Sequence, residues 1–60
     1  DAHSIELYSI AGELVQQIEL EKGKGSLNLS SQKPGLYFYR IVNSLQIQIK
    51  SGKIILTNAN

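Results

Sequence analysis

Pro34-Gly35-Leu36-Tyr37-Phe38-Tyr39-Arg40-Ile41 decides how this chain folds. Proline presets φ for a turn corner and glycine tolerates positive φ, so the Pro34-Gly35 pair predicts a type II turn with Pro34 at i+1 and Gly35 at i+2. From Leu36 to Val42 both faces are apolar or aromatic, the pattern of a strand in the middle of a sheet. Alternation sets Tyr37 and Tyr39 on one face and Phe38 on the other. Core packing with partly wet hydroxyls is the expected use of these rings.

Period two continues on either side. Ile5, Leu7 and Ser9 alternate with Glu6, Tyr8 and Ile10, which predicts a first strand. Ala11-Gly12-Glu13 interrupts it, and Gly12 is free to take positive φ in a tight turn. Leu14, Gln16, Ile18 and Leu20 share the next face, so the first two strands form a hairpin. Leu14 and Ile18 also fall at helical spacing, but the close glycines and the continuing alternation favour a strand. Glu21-Lys22-Gly23-Lys24-Gly25 reads as a loop, and Ser26 to Ser30 as a short third strand. Downstream, Asn43-Ser44 predicts a turn, and Leu45, Ile47 and Ile49 alternate with Gln46, Gln48 and Lys50. Ser51-Gly52 predicts a bend or bulge before a last strand, Lys53 to Thr57. The expectation is an all-β chain of five or six short antiparallel strands, a small sandwich or half of one. Leu7, Leu14, Ile18, Leu27, Leu29, Tyr37, Tyr39 and Ile41 are its expected core.

Sixty residues make one small domain over 1–60, with a strand core at about 5–57. A chain of this size buries only about 60% of its unfolded surface, and with no cysteine it has no disulfide to help. Its 42% hydrophobic content is that of a globular chain. A net charge of +1, with six cationic residues scattered from Lys22 to Lys53, argues against a nucleic-acid partner. No apolar run approaches the roughly 20 residues of a membrane-spanning helix. Asp1-Ala2-His3-Ser4 carries no charged leader followed by an apolar stretch, so an exported precursor is expected to hold its signal upstream.

Reactive groups are sparse. His3 is the one histidine, in a polar segment with only Asp1 and Glu6 as nearby acids, and a solvated role is expected. No Gly-x-Ser-x-Gly surrounds any serine. Glu6, Glu13, Glu19 and Glu21 read as solvated strand charges that discourage edge pairing. Gly23-Lys24-Gly25 and Gly52-Lys53 lack the phosphate-loop pattern and read as a hairpin loop and a strand bend. Asn28-Leu29-Ser30 is a glycosylation sequon of little weight. No catalytic, cofactor or metal residue is assigned, and no enzymatic activity is expected.

Four pieces, in order and spacing, carry a resemblance. Leu7, Tyr8, Ser9, Gly12, Glu13 and Val15 fill an aliphatic-Tyr-polar-x-x-Gly-charged-x-Val hairpin. Gly25, Leu27 and Leu29 follow as a glycine loop and a Leu-x-Leu strand. Pro34, Gly35, Tyr37, Arg40 and Ile41 form a Pro-Gly-x-Tyr strand, and Gly52-Lys53-Ile54-Ile55 opens a terminal aliphatic strand. Over residues 5–57 the chain resembles the type A C-terminal sorting domain of cargo exported by the type IX secretion system, also called the Por secretion system.

The resemblance implies an immunoglobulin-like antiparallel β-sandwich at the end of a larger secreted protein in Bacteroidetes-type bacteria. It implies export through the periplasm and across the outer membrane to the cell surface or medium. The implied partners are outer-membrane secretion and shuttle components, a sortase-like peptidase that removes the label, and an upstream cargo domain. Gly52, Lys53, Ile54, Ile55 and Leu56 become the sorting-recognition candidates, with Tyr8, Gly12, Pro34, Gly35 and Tyr37 as the structural motif. The family's usual opening Pro-Asn-Pro segment and strand do not occur here, so the sandwich is expected to be incomplete at its N-terminal edge. An open edge and apolar face would be closed by a second copy, with or without exchanged strands, or else by a parent chain contributing the missing strand; a homodimer is the expectation. The competing reading is a β-sandwich accessory module binding carbohydrate or protein at a cell surface.

Overall fold

Alternating apolar residues and turn-forming breaks produce a sheet with no helix among the described residues. The computed structural model describes residues 2–57. Expectations touching Asp1 and residues 58–60 lie outside them. Strands β1 (Ala2–Ser9), β2 (Leu14–Glu19), β3 (Gly35–Asn43) and β4 (Gln48–Leu56) form one open antiparallel sheet in the order β2-β1-β3-β4. The all-β expectation holds, and the sheet is compatible with one layer of an immunoglobulin-like sandwich. β3 is interior, as its two apolar faces predict. β1 is interior too, so the free edges belong to β2 and β4.

Two of the connections use the same turn. In Ser9 to Glu13, the Gly12 amide donates to the Ser9 carbonyl (2.9 Å) and the Ser9 amide to the Glu13 carbonyl (2.8 Å). Gly12 has the left-handed φ, +86°, that this loop needs at its fourth residue. In Asn43 to Ile47, Gln46 donates to the Asn43 carbonyl (2.9 Å) and Asn43 to the Ile47 carbonyl (3.0 Å). The left-handed position is here filled by Gln46, at φ +64°. The Asn43 side chain compensates, its Oδ1 accepting from the Leu45 and Ile47 amides at 2.9 and 3.0 Å. Leu45 and Ile47 therefore sit in this turn and are exposed, and the strand expected to begin at Leu45 begins at Gln48.

Cross-strand register defines two faces. On one, Ile5 opposes Ile18 and Ile41, Leu7 opposes Gln16 and Tyr39, and Tyr37 opposes Ile54. The segment from Leu20 to Pro34 crosses over this covered face. Gln16 holds it from below: Nε2 donates to the Asn28 carbonyl (2.9 Å), and Oε1 accepts from the Asn28 amide (3.1 Å). The Tyr37 hydroxyl donates to the Lys33 carbonyl at 2.7 Å. Leu27 and Leu29 are thus half-buried without being a strand, contrary to expectation. A segment lying across a face is bonded by a side chain beneath it, not by a neighbouring backbone, so no ladder forms.

Leu7 and Val42 are fully buried and Tyr37 nearly so. Ile18, Tyr39 and Ile41 are half-buried, but Leu14, expected in the core, is 50% exposed. A bulge is the reason. Leu7 pairs with Gln16 but Tyr8 pairs with Leu14, leaving Val15 as the extra residue. Such a slip moves a side chain to the opposite face. A second bulge, between Ile41 and Val42, leaves Ile49 extra and half exposed on β4.

Two turn expectations are refined. Gly35 takes positive φ (+148°) as the first residue of β3. The hydrogen-bonded turn comes earlier, with Gln32 donating to the Leu29 carbonyl at 3.1 Å. Glu21 and Lys24 bond each other reciprocally at 2.9 Å across Lys22 and Gly23, confirming a tight hairpin loop there. No bend occurs at Ser51-Gly52, where β4 runs straight through. A side chain at Gly52 would overlap the Tyr39 ring, coming within 2.7 Å of its Cε2 and hydroxyl. The glycine is there because the ring lies on it.

Candidate functional site

The open face, out of phase with Leu7 and Tyr37, carries Glu6, Tyr8, Phe38, Arg40, Ser51, Lys53 and Ile55; it is closed at one end, where the register partners Ser4 and Val42 are buried, and open towards Tyr8, Phe38 and Ile55. At its centre Glu6 and Arg40 are register partners on β1 and β3. Glu6 Oε1 accepts from Arg40 Nε at 2.7 Å and from the Tyr8 hydroxyl at 2.6 Å. The expectation that Glu6 is a solvated strand charge is therefore corrected: it is 6% exposed. A carboxylate enclosed this far needs donors, and the two neighbours in reach supply them. The Tyr8 hydroxyl, then the Arg40 guanidinium, hold the Glu6 carboxyl below its ordinary range. The same bond pushes the Tyr8 phenol up, since ionising it would lose its acceptor. Arg40, bonded to the carboxylate, is held more firmly protonated. An acid so stabilised in its charged form is badly suited to proton transfer at neutral pH. It locks the register of β1 on β3.

Beside this cluster lies a shallow groove of about 620 Å³, with Tyr8, Ile10, Phe38, Arg40, Ser51 and Lys53 among its lining. Ile10 is 72% exposed and Phe38 42%, so the groove offers apolar surface to solvent beside the Arg40 and Lys53 cations. Lys53 stands opposite Phe38 across the β3–β4 ladder. Among the described residues the one ion pair is Arg40–Glu6, so Lys53 has no carboxylate within bridging distance.

The five sorting-recognition candidates share β4 but not a face. Gly52, Ile54 and Leu56 point to the covered side and are half-buried, with Gly52 opposite Tyr39 and Ile54 opposite Tyr37. Lys53 and Ile55 point to the open side, and Ile55 is 67% exposed. Period two divides the motif into three residues that hold the strand and two that a partner can touch. Of the structural motif, Tyr8 anchors Glu6, Gly12 makes the first turn, Tyr37 ties β3 to Lys33, and Pro34-Gly35 delivers the chain into β3.

The remaining candidates stay apart. His3 is half-buried in β1, where its carbonyl accepts from the Leu20 amide at 2.8 Å. Ser4 Oγ is buried and makes no hydrogen bond within the described residues, with His3 or otherwise. No group of three potential metal ligands occurs among the described residues. Asn28 is exposed, its Oδ1 accepting from the Ser30 amide (3.1 Å) and hydroxyl (2.7 Å). The Glu6–Arg40 pair is the feature that sequence reading missed. Its signal was there: each charge interrupts an apolar strand, and Arg40 is the one cation in β3.

The sequence profile of one family, described as a secretion system C-terminal sorting domain, matches residues 1–57. No curated protein and no solved structure matches the chain.

Proposed function

Because the chain belongs to the family of secretion system C-terminal sorting domains, a family that serves type IX secretion, we propose that it exports a cargo protein joined upstream and that β4 is the part the machinery reads. The family match over residues 1–57 carries this reading. The cargo passes through the periplasm, meets outer-membrane secretion and shuttle components, and reaches the cell surface or medium. A sortase-like peptidase then separates the label from the cargo. The domain is a substrate of this machinery and catalyses nothing itself.

β4 suits the role for a physical reason. It is the longer of the two free edges, and it presents Lys53 and Ile55 to solvent while Gly52, Ile54 and Leu56 fasten it to β3. Recognition then reads a rigid strand, whose ordering cost was met on folding. The test is a secreted reporter fused to this chain in a type IX-competent strain. Removing residues 53–60 is expected to leave the reporter in the periplasm, and Lys53→Glu with Ile55→Asp to reduce export while the fold persists. Equal export with and without residues 53–60 would sink the proposal.

A further inference from the structure

The two free edges of the sheet differ in charge. Glu19 lies on β2, and Glu13 and Glu21 flank it; Glu6, the remaining described acid, is engaged by Arg40 and Tyr8. β4 carries Lys50 and Lys53 and no acid. Neither lysine has a carboxylate within bridging distance among the described residues. The β4 edge is also the more regular. From Lys50 to Leu56 its register against β3 is unbroken, whereas β2 is interrupted by the bulge at Val15. A regular, unpaired edge is a template for one more strand.

We propose that the free edge of β4 is a strand-addition site for an extended acidic segment of the secretion machinery, selected by Lys50 and Lys53. This rests on the sorting function proposed above and names the chemistry of the partner. Main-chain hydrogen bonds along Lys50 to Leu56 supply affinity without regard to sequence, and side chains supply the choice. On the open face, alternate residues of the added strand lie next to Ser51, Lys53 and Ile55, at the side of the groove that Lys53 makes basic. An acid there meets Lys53, and an apolar residue two positions away meets the exposed Ile55. On the covered face the strand's next acid meets Lys50, which stands opposite Ile41.

The same lysines discourage the commonest competitor. Antiparallel pairing of β4 with a second β4 would gather four lysines along one seam, and like charges across a ladder are unfavourable. The acidic β2 of a second copy is the other competitor. Its bulge leaves only Gln16 to Glu19 in regular register, four residues against the seven of β4. A regular acidic strand from elsewhere fits the edge better.

The test uses the whole chain and three synthetic peptides of about eight residues. One carries two glutamates three positions apart, one for each face, with a valine two positions beyond the glutamate that meets Lys53 and threonine elsewhere; the second has lysines in place of the glutamates, and the third is the glutamate peptide N-methylated at every second amide. Binding is followed by amide chemical shifts and titration calorimetry. The glutamate peptide is expected to bind with shifts centred on Lys50 to Leu56, and the lysine peptide at least tenfold more weakly. N-methylation on the pairing side is expected to abolish binding. Lys50→Glu with Lys53→Glu, both exposed, should keep the circular-dichroism spectrum and reverse the preference between the two peptides.

Absence of binding at millimolar peptide, shifts on β2 instead of β4, or an unreversed preference would overturn the site. So would a sedimenting dimer whose β4 amides are already protected, because a second copy would then be the occupant. Export of the reporter separates this site from the sorting function. Peptide binding lost with export intact refutes the site alone; export that survives removal of residues 53–60 refutes the sorting function, whatever the peptides do.

Discussion

Gly52→Ala tests the contact that runs β4 straight through a sequence resembling a bend. Its Cβ would stand 2.7 Å from Tyr39 Cε2 and Oη and 2.9 Å from Cζ. Separations below 3.0 Å are not found in folded proteins, so the ring must leave the strand. Two effects compete. Alanine in place of glycine within a strand is favoured by about 0.5–1 kcal/mol, mostly through the unfolded chain. Overfilling a packed contact costs about 1–3 kcal/mol. The ring is half-buried and its far end rests against Gly52, so the cost prevails and a net loss of about 1 kcal/mol is expected. With a urea slope near 1 kcal/mol/M for so small a chain, the midpoint should fall by about 1 M. The decisive assay is a double-mutant cycle. In a Tyr39→Ala background nothing opposes the new methyl, and Gly52→Ala should stabilise by about 0.5 kcal/mol. That reversal of sign amounts to a coupling energy of about 1.5 kcal/mol between the two positions. Additive effects, or a more stable single variant, would show that the ring does not need the glycine.

Three further outcomes are expected. Because Glu6 is more acidic folded than unfolded, its stabilisation is complete above the unfolded carboxylate pKa, about 4.3, and is lost as pH falls through the lower folded value. Tyr8→Phe removes the largest cause of that depression, so the Glu6 carboxyl should titrate at higher pH by NMR and acid unfolding should begin sooner; an unmoved titration would mean that Arg40 alone sets it. Gln46→Gly relieves a left-handed residue costing about 1 kcal/mol or more, against a smaller entropic penalty for glycine. Thermal unfolding should shift up by about 2–4 °C, and a lower midpoint would refute the turn geometry. Gln16→Ala removes both hydrogen bonds to Asn28, and a loss of about 1–2 kcal/mol should come with faster exchange of the Asn28 amide; an Asn28 amide that exchanges no faster would show that the crossing segment is held by Leu27 and Leu29 alone.

The all-β class, the first hairpin with its turn at Gly12, the interior position of β3 and the separation of Tyr37 and Tyr39 from Phe38 were legible in the sequence, because each follows from local backbone preference and period two. The family, too, was legible from the order of four short motifs. What alternation cannot show is a break in its own phase. Bulges at Val15 and Ile49 each insert one residue, which put Leu14 outside the core and half exposed Ile49. Leu45 and Ile47 keep the rhythm of a strand inside a turn, because the Asn43 side chain supplies hydrogen bonds that a strand would have drawn from a neighbour. Leu27 and Leu29 alternate like a strand, but strands pair side by side and this segment passes over a face. Glu6 and Arg40 are 34 residues apart, so only strand order could make them partners. The candidates Gly52 to Leu56 are one motif in sequence, yet pairing with β3 is what turns Lys53 and Ile55 towards solvent and leaves the outer edge of β4 open. Local chemistry determined which segments are strands; only the register and order of the assembled sheet decided which side chains are covered and which edges remain free.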